Sequence, residues 1–192
     1  RIAASSGSTV TGSLMIKDGE HYYNRLFWVG PGGVQATYDK KHLFTFAGED
    51  KVYTPSKIPL QVSLKGWQIR PTICYDLRFP VWTRNRAPFY DLAIFVANWP
   101  AKRADHWRSL LKARAIENQS YVIGVNRVGR DGNGLTYSGD SSIIDPAGNI
   151  LFQEQYRECT HTADLSYRVL QDARDSFPVW KDADNDLSQI LE

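Results

Sequence analysis

The sequence predicts a mixed α/β protein, in which helices flank a β-sheet, and three observations indicate this class. Residues 91–98 carry a continuous apolar run over positions 92–97, and residues 121–125 form another, as is typical of strands covered on both faces. Between these runs, residues 105–119 carry apolar side chains at helical spacing. Short strand-like runs separated by turn residues precede and follow this unit, as in β-hairpins.

The first forty residues predict a β-meander. Residues 9–16 form a strand-like run, and Asp18-Gly19 after it is a hairpin signal. Residues 25–29 are expected to pair back. A second turn at Pro31-Gly32-Gly33 then leads into a third strand over residues 34–38.

The middle of the chain predicts a loop over residues 55–59, a strand that ends at Cys74 and a short helix within residues 77–86. Asp105 is the expected N-cap of the next helix. One face of that helix is apolar, which predicts core packing. The residues on this face are Trp107, Leu110, Leu111 and Ala115.

The last part of the chain predicts a hairpin between residues 141–145 and 149–152. Asp145-Pro146-Ala147-Gly148 has the residue order of a type I turn. The sequence contains no repeat, linker or second domain, so we predict a single domain over residues 1–192.

Composition excludes several functional classes. With 192 residues, of which 42% are hydrophobic and 12% aromatic, the chain is long enough to bury a core. A net charge of +2 predicts no nucleic-acid partner, and the absence of a long apolar run predicts no membrane partner. The four histidines are scattered, which argues against zinc, and we expect no cofactor. The glycine-containing turns lack phosphate-binding spacing, so nucleotide binding is the weakest hypothesis.

The two cysteines, Cys74 and Cys159, are too few for a disulfide framework, which favours a reducing, cytoplasmic location. A lone cysteine in an apolar run is usually a buried packing residue. Cys74, however, ends a strand and enters a turn, a position that suits a nucleophile. A free thiol has a pKa near ~8.5, so a nucleophile needs help from a cation or base, and Lys40, Lys41 and Glu49 are candidates.

Three segments together resemble the nitrilase, or carbon–nitrogen hydrolase, superfamily. These are the lysine segment 38–44, the cysteine segment 73–80, and Asn98-Trp99-Pro100 with the following helix residues 114–118. Residues 126–129 and 139–142 continue the match in order, and the residues of these motifs most resemble the omega-amidase branch.

The resemblance implies an αββα four-layer sandwich and a site built on a glutamate, a lysine and a cysteine. Cys74 would attack an amide carbon, and Lys40 with the backbone N–H of Tyr75 would hold the oxyanion. Glu49 would be an auxiliary carboxylate that positions Lys40 or the substrate amide. Further residues are expected near the substrate: Asn98, Trp99 lining the acyl pocket, and Arg78, which either contacts substrate or, like Glu117, belongs to a structural ion pair.

One part of the family's pattern is absent from the sequence. The family's catalytic glutamate lies in a Leu-Pro-Glu-like motif, which should precede Arg1, so we expect the chain to lack an N-terminal strand–helix–strand portion. The resemblance implies hydrolysis of a dicarboxylic acid monoamide by a homodimer. One alternative is an inactive family member that acts as a dimeric scaffold or small-molecule binder. Another is a Cys-His hydrolase that uses His42 or His106.

Overall fold

The computed structural model describes residues 1–86 and 89–183, and two facing β-sheets form its centre. The helices are α1 (Ile2–Ser6), α2 (Pro80–Thr83), α3 (Ala104–Asn118) and α4 (Tyr167–Ser176). The strands are β1 (Val10–Asp18), β2 (His21–Gly30), β3 (Gly33–Asp39), β4 (Val62–Leu64), β5 (Trp67–Ile73), β6 (Leu92–Ala97), β7 (Tyr121–Asn126), β8 (Val128–Arg130), β9 (Thr136–Ile144) and β10 (Ile150–Gln155).

The smaller sheet is the predicted meander. Its three strands pair antiparallel in the order β1-β2-β3, and Asp18 pairs with His21 across the first hairpin. Glu20 lies in that turn and is exposed. The strand predictions for this region are therefore confirmed, with each strand slightly longer than expected.

The larger sheet has the order β10-β9-β7-β6-β5-β4, and β8 pairs with β9. Strands β5, β6 and β7 are parallel, with Ile73 opposite Val96 and Val96 opposite Val125. The carboxyl ends of these strands therefore meet at one edge of the sheet, where ligands bind in open α/β sheets. The predicted hairpin after β7 is also present, and Gly148 N–H donates to Asp145 O (2.9 Å) to close its turn.

Apolar side chains fill the space between the two sheets. Trp28 from β2 packs with Ile69, Leu92 and Tyr121 from the larger sheet and with Leu170 from α4. A second cluster joins residues of the smaller sheet to β5 near its carboxyl end. Its buried members are Leu26, Tyr38 and Ile73. Because each such side chain contributes about 1.5–3 kcal/mol when buried, these clusters hold the sheets face to face.

Helix α3 covers the outer face of the larger sheet. Trp107, Leu111 and Ala115 are fully buried, and Leu110 is partly buried, so the predicted apolar face is confirmed. Gly124 of β7 allows the close approach, since a Cβ there would lie 2.4 Å from the Leu111 side chain. Together with α1, which contacts β2, these layers form the predicted αββα arrangement.

Several helix boundaries differ from the predictions. Instead of one helix within residues 77–86, the chain forms a 3₁₀ turn over Cys74–Arg78 and then α2, because Pro80 occupies the first turn of a new helix. Helix α3 begins at Ala104, so Asp105 lies inside it and is not the N-cap. Helices α1 and α4 were not predicted. Among the described helices, none is both long and apolar enough to cross a bilayer.

Candidate active site

A cavity of about 430 Å³ lies at the carboxyl ends of β5, β6 and β7. Residues of β1 and β2 form its opposite wall, so both sheets contribute to it. The predicted site residues that line it are Cys74, Lys40, Glu49 and Asn98. The fold therefore brings together side chains that lie far apart in the sequence.

Cys74 stands at the sharp turn that follows β5. Its φ angle is 45°, in the left-handed region that non-glycine residues rarely adopt. A residue in this conformation destabilises the folded state by about 1–3 kcal/mol. The conformation persists only where the surrounding structure enforces it. The turn directs the chain away from the sheet at the thiol, and the side chain stays partly exposed to the cavity.

Asp76 is the residue that enforces this turn. Its carboxylate is fully buried and accepts hydrogen bonds from the Tyr38 hydroxyl (2.7 Å) and the Ile73 amide (3.2 Å). Its other oxygen accepts from the His42 amide (2.9 Å) and lies 2.9 Å from His42 Nδ1. Because Tyr38 and His42 belong to the lysine segment and stand on either side of Lys40, Asp76 joins that segment to the turn at Cys74.

Lys40 and Glu49 form an ion pair in the wall of the cavity. Lys40 is 2% exposed, and its Nζ lies 2.6 Å from Glu49 Oε2. The same oxygen accepts a hydrogen bond from the Phe44 amide (2.8 Å), which orients the carboxylate. A buried lysine requires such a partner, because an unpaired charge is costly to bury.

The electrostatic environment keeps the Cys74 thiol protonated. Burial is the largest effect and raises its pKa from 9.0 to about 11. The Lys40 charge and a hydrogen bond with the Asn98 backbone lower the pKa, whereas Glu49 and Asp76 raise it. Across the described ranges 1–86 and 89–183, no carboxylate hydrogen-bonds to the thiol.

Asn98 and Asn126 both line the cavity, but their side chains form different contacts. Asn126 is buried, and its side chain bonds to both backbone groups of Trp99 and to Gly139 O. Asn98 is exposed, and its side chain bonds to no other residue in the described part of the chain. Asn126 thus fixes the loop after β6, while Asn98 has a free amide group at the cavity.

Three predicted residues lie away from the cavity or face elsewhere. Trp99 is 2% exposed in the core beneath α3, and its Nε1 donates to Arg103 O (2.7 Å). The structure gives it this core position in place of the predicted pocket-lining one, because the indole packs against Trp107. The Tyr75 ring packs against Phe44, although its backbone amide follows Cys74 directly.

Arg78 also does not line the cavity. Its Nη2 lies 3.1 Å from His106 Nδ1, and its guanidinium lies 5.2 Å from the Trp99 ring centroid. Glu117 pairs instead with Arg114 (2.9 Å). The predicted structural ion pair therefore exists for Glu117, whereas Arg78 has an imidazole and an indole as its partners.

The Cys-His alternative receives no support from these positions. The His42 ring stacks on Phe79 at 3.8 Å between centroids, and its nitrogen faces Asp76. His106 faces Arg78, and neither imidazole lines the cavity with Cys74. In the described ranges, no group of three His, Cys, Asp or Glu residues is arranged to hold a metal ion.

Sequence reasoning assigned no role to two residues that matter here. Asp76 stands within the cysteine segment, and a carboxylate just after a predicted turn was a usable signal for an anchoring group. Arg127 lines the cavity immediately after β7. Its position after a buried parallel strand was a signal, because such strand ends carry binding groups.

Comparisons with known proteins agree with this geometry. A family model described as carbon-nitrogen hydrolase matches residues 1–175. Omega-amidase YafV of Escherichia coli (strain K12) is 48% identical over 183 residues, which cover 95% of this chain and 71% of that protein. The 2-oxoglutaramate amidase of Bacillus subtilis (strain 168) is 34% identical over 180 residues, which cover 93% of this chain and 69% of that protein.

A crystal structure gives a close match in three dimensions. It is that of XC1258 from Xanthomonas campestris, a CN-hydrolase superfamily protein with an arsenic adduct in its active site. The TM-score is 0.92 at 44% sequence identity, and the match covers 96% of this chain and 72% of that one.

Proposed function

The chain belongs to the carbon-nitrogen hydrolase family, and from this premise we propose that it is an omega-amidase that hydrolyses small dicarboxylic acid monoamides. The observation that carries the proposal is the shared cavity of Cys74, Lys40 and Glu49. The similarity to an omega-amidase and to a 2-oxoglutaramate amidase supports this substrate class.

The proposed reaction has two steps. Cys74 Sγ bonds to the amide carbon, the thiol proton is transferred to the amide nitrogen, and the C–N bond breaks to release ammonia. The product of this step is a thioester on Cys74. Water then adds to the thioester carbon, the C–S bond breaks, and the carboxylic acid and the free thiol are formed.

Lys40 is proposed to stabilise the oxyanion that forms in both steps. Its ammonium is fixed by Glu49 at 2.6 Å, so it does not need to reorganise when negative charge develops. The Tyr75 amide is the second proposed donor, since the first N–H groups of a helical turn have no partner within it. Each such donor is typically worth about 10²–10³ in kcat.

The proton acceptor for Cys74 is the remaining element of the mechanism. At pH 7 a thiol with a pKa of about 11 is ionised in roughly one molecule in ten thousand, so the reaction depends on a base.

Ammonia release from succinamate, combined with mass spectrometry of the protein, tests the proposed function. Cys74→Ala should abolish both ammonia release and the covalent adduct formed with an electrophilic amide analogue. Cys159→Ser is the matched control, because Cys159 is the other free cysteine and is exposed outside this cavity. Absence of both ammonia and a Cys74 adduct in the unsubstituted protein would refute the proposal.

The homodimer and the cytoplasmic location remain predictions of the sequence. Light scattering of the purified protein at micromolar concentration tests the first of them. A mass of twice the 21.8 kDa chain is expected, and a mass of one chain would contradict it.

A further inference from the structure

The Cys74 cavity contains two cations whose surroundings differ. Lys40 is buried and its charge is matched by Glu49. Arg127 is exposed, and within the described part of the chain its side chain forms neither an ion pair nor a hydrogen bond. A guanidinium has five N–H donors in a planar fork that fits a carboxylate. Arg127 is thus available to an anion that enters the cavity.

Arg127 is nevertheless held in place by its neighbours. Its guanidinium lies 4.6 Å from the centroid of the Tyr137 ring, a distance typical of a cation–π contact. Tyr137 is 6% exposed, and its hydroxyl donates to Asp131 Oδ2 (2.8 Å). Asp131 also accepts from the Asn133 and Leu135 amides (2.9 Å each), so its oxygens are already engaged. The stacked ring orients Arg127, and Asp131 attracts it through its charge without forming an ion pair or a hydrogen bond with it.

Tyr137, which stacks against Arg127, also interacts electrostatically with the Cys74 thiol. Burial is the main cause that raises the pKa of the Tyr137 phenol, and the charge of a Cys74 thiolate adds to the rise. The ring that carries Arg127 therefore lies within electrostatic reach of the nucleophile. Residues 126 and 127 also line a second, adjoining cavity of about 730 Å³, so Arg127 stands where the two cavities meet.

We infer that Arg127 binds the carboxylate at the end of the substrate opposite the scissile amide, and thereby selects linear amides that carry a terminal carboxylate. This inference rests on the proposed omega-amidase function. Lys40 is engaged by Glu49 and is the proposed oxyanion donor, so the second charge of the substrate needs another partner. Arg127 is the cavity-lining group that offers one.

Charge-selective alkylation of Cys74 tests the inference without requiring turnover. The second-order rates for 5-bromo-4-oxopentanoate, an anion with the acyl chain of succinamate, and 1-bromo-2-pentanone, its neutral counterpart, are measured in a Cys159→Ser background. Only the ratio of the two rates is used, because it cancels any change in the thiolate fraction of Cys74. A charge-assisted hydrogen bond predicts that Arg127→Met lowers the anion-to-neutral rate ratio by about tenfold.

Arg130→Met is the matched control. Arg130 lies three residues further along the same segment, is exposed and does not line the cavity, and its Nε donates to Gly134 O (3.3 Å). Its substitution should leave the ratio within about twofold of the unsubstituted value, since exposed charges outside the site are screened by salt. An unchanged ratio in Arg127→Met, or an equal fall in Arg130→Met, would overturn the inference.

Turnover separates this inference from the proposed function. The ratio of kcat/KM for succinamate to that for butyramide, a neutral amide of the same length, should fall about tenfold in Arg127→Met, as expected for one charged hydrogen bond. The loss should appear mainly in KM, and Arg127→Lys should restore part of it. If the unsubstituted protein hydrolyses neither amide, the proposed function fails, and the alkylation ratio still decides the role of Arg127.

Discussion

The chain leaves the larger sheet at the same edge after β5 and after β7. We call these two turns the exit at Cys74 and the exit at Arg127, and different contacts stabilise them. The exit at Cys74 is enforced by the fully buried Asp76, which holds four hydrogen-bonding partners. The exit at Arg127 is supported by the half-buried Asp131, whose partners are Tyr137 and two backbone amides. The chemistry proposed for Cys74 requires fixed atoms, whereas the recognition proposed for Arg127 requires an open, charged surface.

The largest expected effect concerns the two aspartates. Asp76→Asn should lower the free energy of unfolding by about 3 kcal/mol, because a buried carboxylate with charge-assisted partners is replaced by a neutral amide. Asp131→Asn, the matched substitution at the less buried exit, should cause a clearly smaller loss. Urea denaturation followed by circular dichroism measures both. Equal losses at the two positions would show that the exits are not held differently.

The next effect is the pH dependence of stability at Cys74. Its pKa is raised on folding from 9.0 to about 11, so the protonated thiol contributes stability that is full below pH 9 and is lost as pH rises towards 11. Between pH 8 and pH 11 the unsubstituted protein should therefore lose about 2 kcal/mol more than Cys74→Ser. Denaturation at several pH values gives this difference, which cancels the tyrosines that titrate in both proteins. A constant difference between the two proteins would contradict the assignment.

The smallest effect tests the strained backbone at the nucleophile. With φ at 45°, residue 74 should tolerate glycine better than alanine, so Cys74→Gly should be more stable than Cys74→Ala by about 1 kcal/mol. Cys159 is the matched position, since it is exposed and its φ angle is not positive. There the order should reverse, with alanine the more stable. The same order at both positions would mean that the turn at Cys74 is not strained.

Much of the fold followed from local patterns. The meander of β1 to β3 and the buried strands β6 and β7 were predicted from turn residues and apolar runs, since strand formation there depends on burial that the sequence already encodes. Helix α3 was predicted from the spacing of its apolar residues. The prediction failed over residues 77–86, where Pro80 divides the segment into two short turns.

The site was predictable to the extent that its residues stand in recognisable segments. Cys74, Lys40, Glu49 and Asn98 were chosen from the sequence, and all four line one cavity. The roles of Trp99 and Arg78 could not be chosen in the same way. Whether a side chain faces the cavity or the core depends on neighbours from distant segments, such as Trp107 for Trp99 and His106 for Arg78.

The residues of the chain were enough to identify the family and the mixed α/β class, because these depend on side-chain chemistry in recognisable segments and on short-range periodicity. Which charged side chains pair with each other could not be predicted from their order in the sequence. That Lys40 is neutralised by Glu49 while Arg127 remains open results from how two sheets pack around one cavity. Which charged side chains pair depends on the distances between them in the packed sheets, and these distances exist only in the folded protein.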